Sequence, residues 1–153
     1  MKIERIKELV LASLRNNKAV WFGCDVGQHL NKDTCSMSDS ITDRLKLFGY
    51  DSYGLDKEQR LNYKDSLMTH AMVITGANTC ERQLRASYYE IENSWDKHEP
   101  MEGYYTMDDK WFDEYVYEVA INKHSLNGSE LEIYENEDVH SVLDPWDPMG
   151  ALA

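Results

Sequence analysis

The sequence predicts an α+β domain, and three observations carry that prediction. One amphipathic helix opens the chain, several short apolar or alternating strand-like runs follow it, and polar connections with turn residues separate them. At 153 residues, with 42% hydrophobic and 29% charged side chains, the chain is of one-domain size. The net charge of −12 lies almost entirely beyond residue 80. An acidic half of that kind repels phosphate backbones, so nucleic acid is an unlikely partner.

In the first element Ile3, Ile6, Val10 and Leu14 recur at three- and four-residue spacing, giving about three helical turns ended by Asn16-Asn17. Ala19 to Val26 is an aromatic-rich apolar run, read as a buried strand ended by Gly27. Residues 28–66 read as polar and mostly irregular. Ser40 and Asp43 suggest a helix start that Leu45, Leu47 and Phe48 pack down, and a second short helix fits Asp56 to Leu61. Two neighbouring strands follow at about 69–77 and 84–93, joined through Cys80. On the second, Ser87, Tyr89, Ile91 and Asn93 share one face by the two-residue period. Asp96 to Glu102 is a polar loop, and Gly103 to Met107 another strand. Asp108 caps a helix through Tyr115, Val116 to Ile121 is a last strand, and residues 130–138 allow a helical turn. Pro145 and Pro148 hold the tail extended, and from composition alone its apolar end suits a docked arm and a disordered tail equally.

No apolar run reaches the roughly 18 residues of a membrane span. The charged start from Met1 to Glu8 leaves no room for a signal-peptide core, so the expected setting is cytoplasmic. Cys24, Cys35 and Cys80 are odd in number and form no CxxC pair, which argues against a disulfide framework and a zinc knuckle. Neither they, His70 nor His98 has metal-ligand spacing, and no cofactor is expected.

The chemistry centres on His70, in the apolar run Leu67 to Gly76, and on Asn93, at the end of the next strand beside Trp95. Taken alone, a histidine in such a run is more often a hydrogen-bonded core residue than a functional one. An asparagine oxygen, however, can accept an imidazole N–H and fix its tautomer, and an indole over that bond keeps water away. Two parts of a Cys-His-Asn triad have this form. The third is harder to find: Cys24 sits in a strand-like run with no helix start to lower its pKa, Cys35 lies in a polar loop, and Cys80 follows the histidine.

Glu92-Asn93-Ser94-Trp95, with Thr69-His70-Ala71 upstream, resembles the papain family of cysteine peptidases. Four blocks narrow the match: residues 21–26, residues 66–72, Trp111 to Val119, and Trp146 to Ala153. Together they are similar to the C-terminal part of its bleomycin hydrolase and aminopeptidase C branch. The resemblance implies the antiparallel β-barrel-type lobe of the papain-like fold, with flanking short helices. Residues 1–143 would form the lobe, and residues 144–153 an arm directed at the active-site cleft.

By the same resemblance His70 is the general base, Asn93 orients it, and Trp95 shields their bond. Where the family has glycine after the tryptophan, this chain has Asp96. The family's cysteine lies on the order of 130 residues before its histidine, whereas 69 residues precede His70. The expectation is therefore the C-terminal portion of a cysteine aminopeptidase, inactive alone, whose missing N-terminal portion supplies the nucleophile. Peptides are the implied substrates, with the carboxylate of Ala153, next to Leu152, pairing with their α-ammonium group. The full-length protein is expected to be a homo-oligomer, a hexamer. The alternative is a non-catalytic papain-like module that binds peptides or a partner protein.

Overall fold

The computed structural model describes residues 1–41, 44–49, 54–79, 85–95 and 101–149, the side chains of residues 44 and 45 apart. Asp43, the side chain of Leu45, Cys80, Asp96, His98, Leu152 and Ala153 lie outside the described residues.

Helix α1, Ile3–Arg15, buries Val10 and leans Ile3, Ile6 and Leu14 on the core, as the spacing predicts. Its end is a Schellman motif. Asn17 takes the left-handed conformation at φ 56°, while Asn17 N–H bonds Leu14 O and Lys18 N–H bonds Ser13 O. Strand β1 is Val20–Cys24. Strands β4, His70–Thr79, and β5, Ala86–Glu92, form the expected pair. Strand β6 is Tyr104–Asp108, and helix α4, Asp109–Tyr115, starts where Asp108 Oδ1 accepts from Trp111 N–H at 2.7 Å. Strand β7 is Val116–Val119.

The region read as irregular holds more order than its composition suggests. Two-residue strands β2, Leu30–Asn31, and β3, Ser36–Met37, form a hairpin too short to leave a periodic signal. The helix expected from Ser40 divides into a 3-10 turn at Asp39–Ile41 and helix α2, Arg44–Phe48. Leu47 and Phe48, expected to pack it down, are largely exposed. Helix α3, Lys57–Asn62, begins with a capping box between Asp56 and Gln59. Helix α5, Gly128–Glu135, starts earlier than expected because Asn127 and Glu130 form a second capping box.

The strands make one seven-stranded sheet in the order β2-β3-β6-β5-β4-β1-β7. Two features depart from an antiparallel barrel. The β3–β6 pair is parallel, and the pairings among the described residues run between two edges, β2 and β7. The fold is mixed α+β with a curled sheet.

The core lies between the inward sheet face and helices α1 and α4, with Phe22, Ile74, Tyr89, Ile91, Tyr105, Trp111 and Phe112 fully enclosed. The indole N–H of Trp111 meets Gln28 O at 2.7 Å, so its burial leaves no donor unpaired. On β5, Tyr89, Ile91 and Asn93 face inward as the period predicts, but Ser87 does not. Asn78 pairs with Tyr88 and Thr79 with Ala86, so Ser87 is the extra residue of a bulge, and Ala86 turns inward in its place.

Candidate active site

His70 opens β4 and Asn93 follows the last residue of β5, so the antiparallel pairing brings both to one end of the sheet. His70 Nε2 lies 2.9 Å from Asn93 Oδ1. Because an amide oxygen only accepts, Nε2 carries the proton in that bond, and Nδ1 is the nitrogen left with a free lone pair. The same Asn93 oxygen accepts the Ser94 N–H at 2.8 Å, which fixes the direction of the amide. Trp95 stacks on the imidazole with ring centroids 5.2 Å apart, and its indole meets Tyr105 edge-on at 6.0 Å. The structure therefore brings His70, Asn93 and Trp95 together.

The end of β5 is held by a close backbone approach. Asn93 N–H donates to Gly103 O at 2.9 Å, and Gly103 has φ 93°. A Cβ there would lie 3.2 Å from Asn93 O, so both conformation and space call for glycine. The Asn93 side-chain N–H₂ is buried and has no hydrogen-bond partner among the described residues. Its oxygen is thus fully used while its nitrogen is not.

Cys24 is the direct cross-strand partner of His70, yet it is completely buried. Its Sγ lies 3.6 Å from His70 O, and burial, reinforced by the neighbouring Asp25 carboxylate, pushes the thiol well above its ordinary range. Cys35 is equally enclosed, its Sγ 3.4 Å from Lys32 O. The turn holding Lys32 lies beside the site, and the Lys32 ammonium stands 4.5 Å from the Trp95 ring centroid.

Behind His70 is a polar cluster that the sequence did not disclose. Asp25, itself buried, accepts at Oδ2 from Ser66 Oγ at 2.7 Å, from Gln28 Nε2 at 3.2 Å and from Leu67 N–H at 3.3 Å. Ser66 Oγ also meets the Tyr117 hydroxyl. The long sequence separations hide this cluster, although a lone Asp after an apolar strand was a usable signal. The tail reaches the same place: Met68 N–H donates to Pro148 O at 2.9 Å.

An imidazole and an amide bonded at adjoining strand ends under an indole, on a curled α+β sheet, define the papain-like class of cysteine-peptidase folds. A family model described as Peptidase C1-like family matches residues 1–150. Bleomycin hydrolase of Rattus norvegicus is 41% identical over 152 residues, which cover 99% of this chain and 33% of that protein. Aminopeptidase C of Lactococcus lactis subsp. lactis is 38% identical over 153 residues, covering 100% and 34%. The crystal structure of PepW from Lactobacillus rhamnosis is similar with a TM-score of 0.88 and 38% identity, over 98% of this chain and 33% of that one. The chain belongs to the Peptidase C1-like family, and it spans about a third of the length of the relatives it matches, their C-terminal part. Among the described residues no helix is long and apolar enough to cross a membrane.

Proposed function

We propose that the chain supplies the histidine and asparagine of a cytosolic cysteine aminopeptidase of the bleomycin hydrolase type. The observation that carries this reading is the His70–Asn93 bond at 2.9 Å, made through Nε2 and roofed by Trp95. With Nε2 committed, Nδ1 takes the proton of a thiol and forms an imidazolium–thiolate pair. The thiolate attacks the first peptide carbonyl, and Nδ1–H then protonates the leaving amine. Water, deprotonated by the neutral imidazole, releases the acyl group and restores the thiol. Asn93 keeps the ring in one tautomer and orientation, and Trp95 shields the bond from water.

The nucleophile belongs to a part of the enzyme outside these 153 residues. Burial of Cys24 and Cys35 supports this, because an enclosed thiol neither ionises readily nor meets a substrate. The full-length protein forms a hexamer in this reading, and peptides are its substrates.

The tail serves as an arm. Its Pro148 carbonyl sits on Met68, two residues before His70. Five residues remain to Ala153, enough to extend roughly 17 Å at about 3.4 Å each. The terminal carboxylate, beside Leu152, then meets the α-ammonium of a peptide and confines cleavage to free N-termini.

The test is turnover of aminoacyl amides. The pure chain has no activity, activity returns with the cysteine-bearing portion, and His70→Ala abolishes it. In that reconstituted enzyme Asn93→Ala lowers kcat on the order of a hundredfold, since an unguided imidazole loses its orientation. Turnover by the pure chain that Cys24→Ala abolishes would sink the assignment of the nucleophile.

A further inference from the structure

The grip on residues 66–69 has a directional consequence. Cys24 and Asp25 hold this segment from one side. Asp25 Oδ2 takes Ser66 Oγ–H and Leu67 N–H, and Cys24 O takes Thr69 N–H at 2.9 Å. In extended chain, successive amides point to opposite sides. With Leu67 and Thr69 N–H turned toward β1, the N–H of Met68 between them must face away. That outward amide is the donor that meets Pro148 O at 2.9 Å.

The proton count at the cluster is closed. Ser66 Oγ–H is spent on Asp25, so the Tyr117 hydroxyl donates to Ser66 Oγ. Burial holds the Tyr117 hydroxyl above its ordinary pKa, which keeps it a donor. Asp25 accepts three hydrogen bonds at one oxygen and has no ion pair among the described residues. Its charge is therefore balanced by donors on the segment it orients. The Met68 side chain is seated from the same direction. A Cβ on Gly23 would stand 2.5 Å from Met68 Sδ and 2.8 Å from Glu118 Cγ, so the Met68 side chain lies directly over Gly23 and would have to shift for any larger residue.

We infer that Asp25 is a positioning residue for the tail: by fixing Ser66 and Leu67 it turns the Met68 N–H outward and creates the point where Pro148 docks beside His70. Asp25 never touches the tail. It acts through the segment leading into β4, so a single buried carboxylate sets both the entry to the histidine strand and the anchorage of the arm. The inference rests on the reading of the tail as an arm and adds the residue that controls its docking.

Hydrogen exchange of the Met68 amide in the full chain tests it by NMR. The chain stopped after Asp147 provides the undocked reference. In Asp25→Asn the charged acceptor becomes a neutral amide of the same shape, and Met68 exchange rises about tenfold while amides inside β4 keep their protection. In Asp25→Ala it rises to the undocked rate. Should Asp25→Ala fail to fold, Asp25→Asn decides alone. A folded Asp25→Asn chain with Met68 exchange unchanged overturns the inference and leaves the arm intact. Equal Met68 exchange in the full and shortened chains removes the arm as well.

Discussion

Two stretches that meet at Met68 are held in opposite ways. Behind His70 the strand pair β4–β5 rests on Ile74, Tyr89 and Ile91, all fully buried, and its end is pinned by Gly103. From Glu132 to Trp146 every residue is exposed, and Val142 and Trp146 stand 97% and 74% open. The tail then returns to the domain through the Pro148 carbonyl. A site wall placed by packing keeps its geometry with or without a ligand, whereas a segment placed by a few polar contacts takes its position from the wall.

Substitutions should separate the two regimes. Ile91→Ala removes buried volume beneath the site and costs about 2–5 kcal/mol, read from urea unfolding. Gly103→Ala comes next. It forces a side chain into a left-handed backbone against Asn93 O and costs about 1–2 kcal/mol. The signals of the His70 ring should shift with it in the NMR spectrum.

The clamp on α5 is smaller and depends on pH. Arg5 forks onto Glu130 at 2.8 and 3.0 Å, and that bond, with the Asn127 backbone N–H, holds the Glu130 carboxyl down to about 2. A carboxyl depressed on folding stabilises the folded state above its ordinary value of 4.5 and loses that contribution as pH falls through about 2. Amides of α5, Leu131 among them, should therefore lose protection, measured against their intrinsic exchange rates, across that window and well before β4 opens. Trp146→Ala should change global stability by no more than about 0.5 kcal/mol. A larger loss would mean that the tail is packed, not merely tethered.

How much was legible in the sequence follows the same division. Periodicity located α1 and β5, an apolar run located β4, and the Asp108 cap located α4. His70, Asn93 and Trp95 stood out as chemistry-bearing residues in a recognisable order, and their proximity follows from one local strand pair. The hairpin β2–β3 was hidden because two-residue strands have no period, and its parallel partner β6 lies far along the chain. Asp25, Ser66 and Tyr117 looked like unrelated polar residues because only the tertiary fold assembles them. Ser87 was assigned to the wrong face because a bulge breaks the count of two. Exposure of Leu47 and Phe48 ran against their apolar character, which suited a packed helix equally well.

The contact between Lys32 and Trp95 closes a long circuit. It joins the turn of the β2–β3 hairpin to the residue that roofs His70. An exposed contact of this kind is worth about 0.5–1 kcal/mol, a two- to fivefold factor in favour of the place the indole holds over His70. Exchanging one surface lysine, outside the site itself, would thus loosen the hold on the ring that covers the imidazole.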